Sequence, residues 1–493
     1  MDRRKFLQAA GAAPLLWTPE TLSAAAAPSK NLAPAIEHST IPPTLRTRLD
    51  SEISTYMQRN AAPGMQFALT DLHGHEYLAS YGYENLEQQK PLQPNRLFQI
   101  GSISKSMVTI TALQLVEEGK LDLHRPVLEY LPWLPWKTSF GPVTLDHILT
   151  HSSGMPNGGS LFFPRNFWTH EQRYAPGKQY FYSNMAFNVI GRLVEMCDGR
   201  PYQESLVARI LRPVGMAASR SALGGPEWAL QSISYIPAAV DTPYRRFDPL
   251  RQAPSFHEDT SAGCVASTPA DMAKYLRCLL RGGVTDSGKR ILSKQSFEAM
   301  TSRHIDADEW GPNAGYGYGI GVDIIAGDRI ALHTGGMVSF MSAIYLNLSR
   351  GVAAFASINA QLGYRPMPMA RFATQALVAQ MAGTASPDPI PAPAAEKPRP
   401  SITASTPASA PSKYAGVYVN DDPWRGTIRI TEIDSVLHLD GTPLVPGSNG
   451  SFYLASRPDA PDRIAFDGIV NGLANLLLLN GTGYQRFNAP SSI

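Results

Sequence analysis

A serine and a lysine three residues apart stand in the run Gly101-Ser102-Ile103-Ser104-Lys105. On a helix that spacing puts both side chains on one face, one turn apart, so the ammonium can reach the hydroxyl. A serine hydroxyl at its ordinary pKa is a poor nucleophile, and a neighbouring base or cation must take or draw off its proton. A helix start adds backbone N–H groups able to hold the oxyanion formed when a carbonyl is attacked. No second Ser-x-x-Lys occurs in the chain. Taken alone the pair has the same signature as an ordinary helix start with Ser as N-cap.

Two further runs add to it. Tyr182-Ser183-Asn184 follows Pro176-Gly177 and precedes a helical pattern, which places it on a loop entering a helix. A tyrosine beside a lysine can lose its proton below its ordinary value of about 10 and act as a base. The Asn184 amide can hold a substrate amide and contact the lysine. His333-Thr334-Gly335-Gly336 lies just before the strand pattern Met341 to Leu348. Its glycines, lacking Cβ, let backbone N–H groups approach a substrate.

The elements that must position these residues are legible in outline. Ile103, Met107, Ile110, Gln114 and Glu117 fall at helical spacing, and Gly119 closes that helix after Glu118. Met341 to Leu348 and Val352 to Ile358 read as strands paired across Ser349-Arg350-Gly351, and Met65 to Thr70 as another. Helices in mid-chain with strands at both ends imply an α/β (α+β) unit: an antiparallel sheet flanked by helices, with an inserted helical lobe. Between Pro387 and Pro411, 8 prolines fall in 25 residues, the composition of an extended spacer. Beyond it, short alternating runs (Gly426 to Ile430, Val436 to Leu439, Ser451 to Leu454, Arg463 to Phe466) predict a small antiparallel β-barrel. The expected organisation is a leader over 1–27, a main domain over 40–385, a linker over 386–411 and a β domain over 412–493.

Composition excludes several roles. The chain of 493 residues is 43% apolar, which offsets chain entropy and argues against general disorder. With 43 basic and 41 acidic side chains the net charge is +2, so nucleic acid is not an expected partner. The start Asp2-Arg3-Arg4-Lys5-Phe6-Leu7, the apolar run Ala9 to Trp17 and the small residues Ala24 to Ala27 make an export signal resembling the twin-arginine type. A periplasmic protein with no integral membrane segment after cleavage is expected. Cys197, Cys264 and Cys278 form no C-x-x-C motif, and buried inert thiols are expected for Cys197 and Cys278. His73 and His75, and His147 and His151, lack the companions of zinc hydrolase motifs and read as structural or solvated. No metal or cofactor is expected, and G-x-S-x-G is absent.

Ser-x-x-Lys, Tyr-x-Asn 80 residues on, and a basic residue with Thr-Gly on a late strand resemble in combination the class C β-lactamase-like serine hydrolases. That family includes penicillin-binding DD-peptidases, D-aminopeptidases and carboxylesterases. The stretches Leu145 to Pro156, Tyr174 to Gly199, Ser261 to Leu279 and Tyr316 to Val322 agree with it, and residues from Ser412 onward look like the lipocalin-like domain of some relatives. The resemblance implies Ser102 as acylated nucleophile, Lys105 as its activator and Tyr182 as general base, with Tyr182 versus Lys105 left open. It implies that Asn184, His333, Thr334 and Gly335 bind substrate and that the N–H groups of Ser102 and Gly336 form the oxyanion hole. His333 stands where the family usually has lysine, which weakens recognition of an anionic β-lactam. The implied substrates are small molecules or peptides: amides of D-amino acids or β-lactam relatives, with carboxylic esters as the alternative. A penicillin-binding sensor without turnover is the rival of another class, and the oligomeric state is left open.

Overall fold

A computed structural model describes residues 33–487, apart from 135, 158–171, 173, 238–245, 254–259, 363–364, 395–412, 421–426, 448–449, 457–461 and 481. The expected leader, and the linker from 395 onward, lie outside the described residues.

The main sheet joins β1 (Ala35–Ser39), β2 (Gly64–Asp71), β3 (Glu76–Asn85), β4 (Ile305–Asp306), β5 (Gly315–Tyr316), β6 (Gly321–Ile325), β7 (Asp328–Gly336), β8 (Met341–Asn347) and β9 (Val352–Ile358). Their order is β1-β3-β2-β9-β8-β7-β6-β5-β4, every pairing is antiparallel, and the short strand Lys90–Pro91 adds to β3. Every residue of β2, β8 and β9 is buried, because helices cover both faces of the sheet. On one face, α1 (Pro43–Arg59) and α6 (Met367–Ala382) enclose a core containing Leu49, Phe67, Tyr345 and Leu377. On the other, α2 (Ser104–Glu117), α4 (Asn184–Asp198) and α5 (Pro269–Leu280) enclose a larger core containing Met107, Phe187, Leu276 and Phe355. A short helix, α3 (Leu145–Leu149), belongs to that second side.

The predicted helix after Ser102 and both late strands are present, with Glu118 as C-cap and Gly119 at φ +69°. Two local differences matter. Ser102 sits on a 3₁₀ turn, Gly101–Ile103, that leads into α2 rather than on α2 itself. His333 to Gly336 precede β8 as expected but also end a strand of their own: β7 pairs with β8, Thr334 opposite Ala343 and Gly336 opposite Met341. Asp-Arg and Gly-Gly at the two ends of β7 hid it from a period-two reading.

Residues 416–486 form a closed antiparallel barrel: β10 (Gly416–Val419), β11 (Thr427–Ile433), β12 (Val436–Leu439), β13 (Thr442–Pro446), β14 (Phe452–Leu454), β15 (Ile464–Val470), β16 (Leu473–Leu479) and β17 (Thr482–Arg486). Its interior holds Tyr418, Ile430, Ile464 and Leu477. The start of the Pro-rich stretch is strapped to the sheet domain rather than free: Ile390 N donates to Glu52 Oε1 (2.8 Å), Arg59 Nη1 to Ile390 O (3.1 Å), and Ile390 packs in the α1/α6 core. No helix among the described residues is long and apolar enough to cross a membrane.

Candidate active site

The 3₁₀ turn carrying Ser102 is fixed by its approach to the end of β7. Gly101 has φ +57°, and a Cβ there would collide with the Gly336 nitrogen. Gly335 is held as tightly, since a Cβ on it would run into Ile100 O and Ser342 Oγ, which hydrogen-bond each other at 2.7 Å. Only glycines allow this main-chain contact. It brings the backbone of Gly336 beside the turn that carries Ser102, the arrangement a two-amide oxyanion hole requires.

Lys105 is 0% exposed. Its Nζ donates to Ser102 Oγ (2.9 Å), Asn184 Oδ1 (2.7 Å) and Ala262 O (2.8 Å), so three acceptors meet the three donors of an ammonium. The charge also lies 4.9 Å from the Tyr182 ring centroid and 5.4 Å from that of Phe187. Ser183 caps α4 through Ala186 N (3.1 Å), which sets Tyr182 before the helix and Asn184 at its first position. The three predicted residues Lys105, Tyr182 and Asn184 therefore converge on Ser102.

Tyr182 departs from expectation in one respect. Burial pushes its phenol well above the ordinary value, and the Ser102 hydrogen bond and the Arg365 charge oppose this only in part. The resting group is a phenol and not a stored phenolate. His333 departs further. It is 0% exposed, its Nδ1 donates to Thr334 O (2.6 Å), and its Nε2 accepts from Tyr316 Oη (2.9 Å). Burial, then the neighbouring Lys105 charge, lowers its pKa to about 3. A neutral ring with both nitrogens occupied is a wall of the site, and it offers no donor to a substrate. Thr334 and Gly336 remain half-buried, while Gly335 is buried.

Sequence gives several contributors no place in the site, among them His151, which reads there as structural or solvated. His151 is fully buried at φ +54°; its O accepts from Phe181 N (2.7 Å) and its Nδ1 from Ser183 N (3.1 Å). Its ring lies 4.2 Å from that of Tyr182, so it grips the Tyr182 loop on both sides and from beneath. The agreeing stretch Leu145 to Pro156 pointed to this segment but not to that role. Arg365 places its guanidinium where a Cβ on Gly336 would strike it, and its Nη1 donates to Met341 Sδ. Among the described residues it has no carboxylate partner, and no motif in the sequence marks it. Asn157 accepts at Oδ1 from Asn184 N (3.1 Å) and Nδ2 (3.2 Å). Among the described residues no group of three or more His, Cys, Asp or Glu could hold a metal, and the three cysteines form no disulfide.

This geometry coincides with a family match. The pattern of the Beta-lactamase family fits residues 49–379. The chain belongs to the beta-lactamase family. A beta-lactamase of Pseudomonas fluorescens is 26% identical over 47% of this chain and 64% of its own length. The D-alanyl-D-alanine-carboxypeptidase/endopeptidase AmpH of Escherichia coli K12 is 27% identical over 44% of this chain and 57% of its own. Esterase EstB of Burkholderia gladioli is 28% identical over 35% and 50%. The chain thus spans less than two thirds of the length of each of these relatives. The octameric penicillin-binding protein homologue from Pyrococcus abyssi shares the fold, with a TM-score of 0.58 at 22% identity over 89% of this chain and 99% of that one. Within this beta-lactamase-family protein, the family match stops before the barrel.

Proposed function

We propose that the chain is an exported serine hydrolase that works through an acyl-enzyme on Ser102. The observation that carries this reading is the Lys105 ammonium held at once by Ser102 Oγ, Asn184 Oδ1 and Ala262 O. A fixed cation 2.9 Å from the hydroxyl stabilises the developing alkoxide. Because the Tyr182 phenol is neutral at rest, it serves as a relay. As Ser102 Oγ bonds to the substrate carbonyl carbon, its proton passes to Tyr182 Oη, and the Tyr182 proton passes to the leaving nitrogen or oxygen. The tetrahedral oxyanion sits between the N–H groups of Ser102 and Gly336. In deacylation a water takes the place of the leaving group, and the same relay runs in reverse.

The substrates we favour are amides of D-amino acids and β-lactam relatives that carry a carboxylate. Arg365, a permanent cation beside Gly336, supports this by supplying the charge that His333 does not. Carboxylic esters are the second reading, favoured by the aromatic walls of Tyr180, Tyr182, Trp310 and Tyr316. A sensor that acylates without turnover is disfavoured by the intact Tyr182 and Asn184. Export by the twin-arginine route rests on Arg3 and Arg4, and replacing both by Lys should retain the protein in the cytoplasm.

The test is a panel of a chromogenic cephalosporin, p-nitrophenyl esters and D-alanyl peptides, with mass spectrometry of the intact protein and its peptides. An acyl adduct on Ser102, and loss of turnover in a folded Ser102→Ala variant, are expected. Turnover retained by that variant overturns the mechanism, and a permanent adduct without turnover identifies the sensor.

A further inference from the structure

Among the described residues, a side chain of the barrel reaches the neighbourhood of Ser102. Asn480, in the turn between β16 and β17, is 1% exposed and has φ +54°. Its Oδ1 accepts from Arg463 N (2.7 Å), while its Nδ2 donates to Asp462 Oδ1 (2.6 Å) and to Asn157 O (3.3 Å). Asn157 belongs to the sheet domain, and its Oδ1 takes both the backbone and side-chain N–H of Asn184. Asn184 Oδ1 in turn accepts from Lys105 Nζ, which meets Ser102. A continuous line of hydrogen bonds therefore runs from the C-terminal barrel to the nucleophile.

Asn157 is exposed, so on its own it would exchange Asn184 for water at little cost. Asn480 is buried and bonded three ways, hence rigid. We propose that Asn480 is a positioning residue: the barrel pins Asn157, and Asn157 pins Asn184 Nδ2 where a substrate amide meets it, while Lys105 keeps its hold through Ser102 and Ala262. The inference rests on the acyl-enzyme reading of Ser102. It gives the barrel a role in rate and in the choice of amide-bearing acyl groups, beyond that of an accessory fold.

The test is a double-mutant cycle in the full chain with Asn480→Gly, which keeps the left-handed backbone, and Asn157→Ala. For a D-alanyl peptide or another amide-bearing substrate that the wild type turns over, Asn480→Gly is expected to lower kcat about threefold to tenfold, the effect of one hydrogen bond. KM should stay within about twofold, as should turnover of a plain p-nitrophenyl ester. In the Asn157→Ala background the same change should have no effect, because the link to Asn184 is already cut. Equal loss in both backgrounds, equal loss for ester and amide, or no loss at all would overturn the proposal. If Asn480→Gly does not fold, Asn480→Asp combined with Asp462→Asn takes its place: it keeps the acceptor for Arg463 N and a hydrogen bond between positions 480 and 462, and lacks the donor to Asn157 O. Ser102→Ala, run alongside, separates the two readings: its retained turnover would defeat the acyl-enzyme itself, whereas an inactive Ser102→Ala with an unaffected Asn480→Gly defeats only the role of Asn480.

Discussion

His151 and Tyr182 are stacked, with ring centroids 4.2 Å apart and planes tilted by 34°. The Ser183 amide can only donate, so His151 Nδ1 is unprotonated and the proton resides on Nε2, which has no hydrogen-bond partner among the described residues. Burial, then the charge of Lys105, holds this histidine far below its ordinary pKa. A neutral imidazole thus serves as the floor on which the Tyr182 loop rests.

Replacing that floor should affect rate more than binding. His151→Phe retains a flat ring under Tyr182 but leaves the Ser183 N–H unsatisfied, at a cost of about 1–3 kcal/mol in stability. Displacing a relay group by a fraction of an ångström should lower kcat about tenfold or more with KM little changed. Steady-state kinetics together with urea unfolding check both parts. An unchanged kcat in a destabilised variant would mean that His151 supports the fold alone.

Arg365 should decide between anionic and neutral substrates. Arg365→Ala is expected to lower kcat/KM for a carboxylate-bearing cephalosporin or D-alanyl peptide about 10- to 100-fold, the worth of a charge-assisted hydrogen bond. Turnover of a neutral p-nitrophenyl ester should change less than threefold. Parallel losses on both substrates would remove Arg365 from recognition.

The buried histidines make stability depend on pH. In the unfolded chain His333 takes up a proton near 6.5, whereas in the folded protein it does so only at about 3. Between those values the unfolded state binds more protons, so this contribution is complete above pH 6.5 and is lost as the pH falls toward 3. The slope is about 1.4 kcal/mol per pH unit for each such histidine, and His151 contributes with the same sign. Unfolding free energies at pH 7, 6 and 5 should fall accordingly, and His333→Gln should make the dependence shallower. An equal slope in that variant would contradict the assignment.

What could be read from the chain, and what could not, divides along a physical line. Ser102, Lys105, Tyr182 and Asn184 are marked by type and spacing because local turns and caps fix them: one helical turn for the first pair, the Ser183 cap for the second. The α2 helix and the β8/β9 hairpin were legible for the same reason. The burial of His333, the grip of His151 and the approach of Arg365 depend on contacts between segments far apart in sequence, which no local pattern encodes. Strand β7 was obscured by its polar and glycine ends. Alternation marks four of the barrel's eight strands; Leu473 to Leu479, which is β16, is almost uniformly apolar and lacks that signal.

The contact of Gly101 and Gly335 with their opposite main chains bears on how such a scaffold diversifies. The amides of Ser102 and Gly336, the proposed oxyanion hole, are set chiefly by backbone against backbone, with Ser342 Oγ bracing Ile100 O. Substitutions at Arg365, His333 or the aromatic walls can therefore redirect the pocket toward another leaving group while the electrophile-binding notch keeps its shape. Chemistry and selectivity are inherited on separate parts of the molecule, and one can drift without the other.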